Sequence, residues 1–202
     1  MFKNCVNENL SEMGFNPNEF YECVFKKFSS NQLLFEELVE KFYLESTLKT
    51  NDFNNFWESK KIINADGLHD SLYELFNNIR QFKNGGKFEL YKQRAVEWGL
   101  PTIVLEQADL SNRGDLDILK EGQYIYRGMS CDEYISGKFG QSWTTDIEVA
   151  RKFSETTYSD RSKGIIVRTM LIKENVIHYE NAVEHEVIMV NYSVKKSDTE
   201  KV

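Results

Sequence analysis

The sequence predicts an α+β protein, with a helical region over residues 1–100 and a strand-rich core over residues 101–202. Three observations carry this. Apolar residues recur at three- and four-residue spacing before Pro101, and short β-branched or alternating runs replace them after it. The chain is 202 residues long, about one domain and at most two small ones. Its aromatic content of 13% gives enough large apolar side chains to build a core and excludes a wholly disordered chain.

Taken in order, Asn16-Pro17-Asn18-Glu19 predicts a helix start, with Asn16 as N-cap, Pro17 in the first turn and Glu19 at N3. Phe20, Val24 and Phe28 then form an apolar face. A second stripe uses Leu34, Leu38, Val39 and Phe42. A third uses Leu68, Leu72, Leu75, Phe76 and Ile79 and ends near Asn84-Gly85-Gly86. A fourth helix is predicted from about Glu89 to Trp98, stopped by Gly99-Leu100-Pro101. Beyond it, Gln123–Arg127, Gly164–Ile172 and Glu184–Val190 read as strands, the second of them apolar on both faces as in a buried strand. A helix is predicted near Thr145, where Thr145-Asp146-Ile147-Glu148 fits a capping box and Ile147, Ala150 and Phe153 share a face. No internal repeat is visible, and no linker demands two independent domains.

Composition excludes several classes. The net charge of −7 argues against a general nucleic-acid binder, and the charge is evenly spread between the two halves. Cys5, Cys23 and Cys131 are too few and too scattered for a disulfide framework. His69, His178 and His185 have no metal-ligand spacing, so no metal is expected. The first residues lack the apolar run of a signal peptide, and no segment approaches a membrane span. These points predict a soluble protein of a reducing compartment, with no membrane partner.

Some tempting motifs fail on context. Asn84-Gly85-Gly86 lacks the strand–loop–helix setting of a phosphate loop. Gly128-Met129-Ser130 lacks the upstream Gly of a nucleophile elbow and follows a strand without a matching helix. Lys195-Lys196 reads as a solvated tail, and the acidic residues from Glu36 to Glu45 as the wet face of a helix.

Three short segments remain. In Tyr126-Arg127-Gly128, an Arg at a strand end beside bare backbone can present paired donors to a phosphate, or be an ordinary surface Arg. In Ser142-Trp143-Thr144-Thr145-Asp146, hydroxyls at a strand end can orient a carboxylate or a ribose; Thr145 is explained as an N-cap, which leaves Ser142 and Thr144 needing a reason. In Glu184-His185-Glu186, strand alternation would turn both carboxylates to one side. Such a pair suits a site where positive charge develops and a base is needed, or an edge strand guarded by charge. The apolar Val187-Ile188-Met189-Val190 that follows argues against a fully exposed edge.

Together and in this order, the three segments resemble the Arg–Ser–Glu class of mono-ADP-ribosyltransferases, especially phage-encoded and bacterial toxin-like members. That family has an aromatic or apolar residue then Arg on its first core strand, an aromatic then a Ser-Thr-Ser-like triplet opening a helix, and Glu-x-Glu on a late strand. Here the triplet is Thr144-Thr145-Asp146 after Trp143, with 17 positions from Arg127 to Thr144 and 40 from Thr144 to Glu184. The resemblance covers roughly residues 122–192 and does not extend to residues 1–100. It implies a compact mixed β-sandwich core over 101–202, with a helical region over 1–100 packed on it.

The resemblance also implies the chemistry. NAD would be the co-substrate, with no metal, and ADP-ribose would pass from it to an acceptor. Glu186 would bind the ribose 2′-hydroxyl and stabilise the developing oxocarbenium charge. Thr144 would hold Glu186 in place; Ser142 is the other candidate for that hydroxyl, and aligning the triplet on the aromatic favours Thr144. Arg127 would grip a phosphate, and backbone near Gly128 would meet the nicotinamide amide. Arg161, and more weakly Tyr158, lie where the family places residues over the nicotinamide and phosphates. Glu184 points to arginine on a target protein as acceptor, with RNA bases the second choice. The segment from Ile172 to Glu184, which carries the family's acceptor loop, is short. The implied setting is the cytoplasm of a bacterial host cell, as a phage effector or toxin with an antitoxin or immunity partner. An NAD glycohydrolase and a non-catalytic interaction module are the other readings.

Overall fold

The computed structural model describes residues 2–13, 54–55, 58–59, 68–92, 103–157 and 164–202. The chain divides into two compact units, Met1–Ile103 and Val104–Val202. In the first, helix α1 spans Phe2–Glu12, and Leu10 and Met13 are buried. Helix α2 spans Leu68–Lys92 and is broken at Gly85-Gly86, where both residues leave helical geometry, as the Asn-Gly-Gly sequence predicts. The helical residues after the break end at Lys92; the predicted extension to Trp98 lies outside the described residues, as do the stripes from Phe20 to Phe28 and from Leu34 to Phe42. Among the described residues no helix is long and apolar enough to cross a membrane.

The second unit is built on one six-stranded antiparallel sheet. The strands are β1 (Tyr124–Met129), β2 (Ser142–Thr144), β3 (Ile165–Met170), β4 (Val176–Glu180), β5 (Glu186–Met189) and β6 (Glu200–Lys201), in the order β4-β5-β2-β1-β3-β6. Every strand pairing is antiparallel, and the one parallel contact among the described residues is an isolated bridge between Gly114 and Tyr179. The chain is therefore α+β, and its strands among the described residues form one antiparallel sheet. Its pairing is uneven. β1 matches β3 over six residue pairs but touches β2 at a single pair, Tyr126 with Thr144. This divides the sheet into two three-stranded halves, β4-β5-β2 and β1-β3-β6. Both contribute to one core: Ile125, Met129 and Val167 from one half, Trp143, Val187 and Met189 from the other.

Alternation explains which residues enter it. Ile125, Arg127 and Met129 share a face of β1, and Arg127 is the register partner of the fully buried Val167. Tyr126, Thr144, Glu186 and Glu180 are successive partners along the other face, across β1, β2, β5 and β4. β3 is buried on its core side only, since Met170 on the opposite side is 63% exposed, contrary to the two-sided burial predicted from its composition.

Two short helices bracket β2. Helix α3 (Cys131–Ser136) follows β1 directly, because Ser130 caps it by accepting a 3.1 Å hydrogen bond from the Glu133 N–H. The expectation that no helix follows Gly128-Met129-Ser130 is thus corrected. Helix α4 (Ile147–Lys152) starts one residue later than predicted. Asp146, not Thr145, is the N-cap, accepting from the Glu148 N–H at 2.8 Å, while the Thr145 N–H is used by the His185 carbonyl. A π-turn, Phe153–Thr157, continues α4. This helix lies directly on β1: a Cβ at Gly128 would fall 2.1 Å from the Ala150 carbonyl oxygen, so only glycine fits there. The C-terminal residues are not a free tail. Lys196 begins a turn leading to β6 on the edge of β3, and its ammonium lies 4.5 Å from the Tyr134 ring centre.

Candidate active site at the junction of β1, β2 and β5

The position of β2 is fixed by the residue before it, which ties it to β5 and to the segment around Leu105. The buried Gln141 side chain donates to the carbonyls of Leu105 and Met189, both at 2.9 Å, and accepts from the Leu105 N–H at 2.8 Å. Trp143 is buried on the core side, its indole N–H on the Gly140 carbonyl and its ring edge-on to Phe139. With Trp143 facing the core, alternation places Ser142 and Thr144 together on the opposite face.

On that face the Ser142 hydroxyl donates to the Glu186 carboxylate. Ser142 pairs with Ile188 and Thr144 with Glu186, so Ser142 and Glu186 are diagonal neighbours on adjacent strands. The Thr144 hydroxyl is engaged elsewhere, donating to the Glu184 carbonyl at 2.8 Å and accepting from the Asp146 N–H at 3.0 Å. Of the two candidate hydroxyls, the one that donates to Glu186 is therefore Ser142, whereas Thr144, favoured by alignment on the aromatic, donates to the Glu184 carbonyl. Alignment on the aromatic misleads because Trp143 is the middle residue of β2, between the two hydroxyls.

No protein-family model, curated protein or solved structure matches the chain.

The two predicted glutamates are not equivalent. β5 begins at Glu186, whereas Glu184 is exposed in the turn before it. His185 between them has φ of +47°, and its N–H closes the turn onto the Ala182 carbonyl at 3.1 Å. Left-handed backbone at that residue breaks the alternation, so strand geometry does not bring the two carboxylates to one side. The residue that does share the face with Glu186 is Glu180, its direct partner across β4 and β5. The three sequence segments do not include Glu180, because β4 falls within the short stretch before Glu184. The run Val176-Ile177 followed by Tyr179, rich in strand-forming side chains, is the signal that marks it. Two carboxylates on directly opposed residues repel, so this pair costs stability rather than adding to it.

Arg127 reaches the site from the core side. Its Nε donates to Glu133 at 2.8 Å, and Nη1 donates to the Ser142 carbonyl, across the gap where β1 and β2 part. The guanidinium also lies against Gly140, where a Cβ would fall 2.6 Å from Nη2. Arg127 is thus not an ordinary surface Arg: its side chain is 14% exposed and that of Glu133 is 16%. Gly128 is buried beneath α4, which accounts for glycine at that position by packing alone. Tyr158 and Arg161 lie outside the described residues.

Proposed function

We propose that this protein is an NAD-dependent mono-ADP-ribosyltransferase acting inside a bacterial cell, as a phage effector or toxin. The observation that carries the reading is the half-buried Glu186 carboxylate, held by the Ser142 hydroxyl on the face of the sheet opposite Trp143, beside the point where its two halves part. The reaction needs a fixed negative charge beneath the ribose. As the bond from the anomeric carbon to the nicotinamide nitrogen breaks, its electron pair leaves with neutral nicotinamide and positive charge spreads over the ribose. Glu186 stabilises that charge and accepts from the 2′-hydroxyl, and a carboxylate already locked in one rotamer loses little in reorganising. Arg127 supplies positive charge at the gap for the pyrophosphate.

The acceptor nitrogen attacks the same carbon and releases one proton. Glu180 and Glu184, both exposed near Glu186, favour an arginine guanidinium over RNA, whose phosphates the same carboxylates repel. Glu184 is the base suggested for that proton.

Purified protein given labelled NAD and bacterial lysate should label macromolecules, and Glu186→Gln should lower the rate by about 10²–10³-fold. Equal labelling by the two proteins would sink the reading. Loss of label on protease treatment identifies a protein acceptor, and loss on RNase treatment an RNA. Free ADP-ribose without macromolecular label identifies water as the acceptor.

A further inference from the structure

Resting on the transferase reading, we propose that Glu133 is a positioning residue, one that sets Arg127 and, through Ser142, the Glu186 carboxylate. A single oxygen of Glu133, Oε1, accepts from the Arg127 Nε–H and from the Gly140 N–H, each at 2.8 Å. Arg127 then donates to the Ser142 carbonyl, and the Ser142 hydroxyl donates to Glu186. Glu133 on α3, Arg127 on β1, Ser142 on β2 and Glu186 on β5 thus form one chain of hydrogen bonds ending at the site carboxylate.

The sequence context shows that the helix itself does not ask for this. Ser130-Cys131-Asp132-Glu133 has the Ser-x-x-Glu form of a capping box, in which the Glu returns to its own N-cap N–H. Here Ser130 does its half, but Oε1 of Glu133 leaves the helix for Arg127 and Gly140. α3 is also short and held at both ends, with the Gly137 N–H closing on the Glu133 carbonyl at 3.1 Å. It is therefore a fixed platform from which a carboxylate reaches the gap between β1 and β2.

That gap is where positioning is needed. β2 is laddered to β5 but shares one residue pair with β1, so on the β1 side Ser142 has no backbone partner. The Glu133–Arg127 unit supplies the tie on that side. A guanidinium fixed by a carboxylate at Nε directs its Nη1 donor at the Ser142 carbonyl, which a lone flexible Arg does not.

The test uses the full chain with Glu133→Gln, Glu133→Asp and Glu133→Ala. Gln keeps an acceptor oxygen in place; Asp keeps the charge but draws it back by one methylene. Glu133→Asp is expected to lower kcat for NAD cleavage by about 10²-fold, the scale of a 1 Å misplacement, with a much smaller change in KM. Glu133→Gln should recover most of kcat, a rescue that a general loss of stability would not show. The Arg127 Nε–H resonance in ¹⁵N-labelled protein, assigned by its disappearance in Arg127→Lys, should persist in Glu133→Gln and be lost in Glu133→Ala. The backbone amides of Ser142 and Glu186 should shift in Glu133→Asp. If those amides and the Arg127 resonance stay put, the positioning role is overturned, whatever the NAD assay gives. If they shift but the wild-type protein cleaves no NAD, the linkage stands and the transferase reading fails. Wild-type cleavage with an unchanged kcat in Glu133→Asp overturns the proposal and leaves that reading intact.

Discussion

β1 has two neighbours and treats them differently. Toward β3 it is fully laddered, with all six of its residues paired, and α4 lies on it closely enough that Gly128 has no room for a side chain. Toward β2 it keeps one pair and leaves the rest to side chains: Arg127 meets the Ser142 carbonyl, Glu133 meets the Gly140 N–H. Backbone polar groups near the core must find partners, so a ladder that stops early has to be completed by polar side chains. The closed side of β1 is scaffold. The open side collects the hydroxyl, carboxylates and guanidinium that any chemistry here would use.

The closed side should answer to packing alone. Gly128→Ala places a methyl 2.1 Å from the Ala150 carbonyl and 2.7 Å from the Ser154 nitrogen, both backbone atoms that cannot step aside without moving α4. A loss of about 1–3 kcal/mol is expected, the usual range for overfilling a packed site. Denaturant unfolding checks it. An unchanged midpoint with impaired NAD turnover would instead return Gly128 to a role at the cofactor.

What is legible in the sequence follows the same division. β1, β3 and β5 are marked by β-branched or alternating residues, and the break in α2 by two adjacent glycines, because these depend on local backbone preference. β2 is only three residues long, and β4, though marked by Val176, Ile177 and Tyr179, is bulged near Val176, so neither reads as a regular alternating run. The site's residue types are legible as well: Arg127, Ser142 and Glu186 are in the three chosen segments. Which hydroxyl serves Glu186 is not, since both share a face and the choice depends on the Glu184 carbonyl and the Asp146 N–H engaging Thr144. Nor is the link from Glu133, where a capping sequence conceals a long-range bond.

On the open side, Ser142→Ala removes one hydrogen bond to a carboxylate and leaves the core untouched. The expected fall in NAD turnover is about tenfold, equivalent to about 1.4 kcal/mol in the barrier. The melting temperature should barely move, because Gln141 and Trp143 continue to hold β2. A large drop in melting temperature with turnover preserved per folded molecule would show that Ser142 is scaffold, and the contrast between the two sides of β1 would dissolve.

The smallest effect is expected at Thr144, which sharpens the contrast within β2 itself. Its hydroxyl joins the Glu184 carbonyl to the start of α4 and is buried, with 5% of the residue exposed. Thr144→Ala should cost about 1 kcal/mol of stability, the net worth of a typical buried hydrogen bond, and Thr144→Ser should restore it. Because the lost tether holds the turn that carries Glu184, transfer to the acceptor should fall more than NAD cleavage does. In Ser142→Ala the two should fall together, since Glu186 is needed for both. If Thr144→Ala instead lowers cleavage and transfer equally and matches Ser142→Ala, Thr144 governs the Glu186 carboxylate after all. The division of labour between the two hydroxyls would then be wrong.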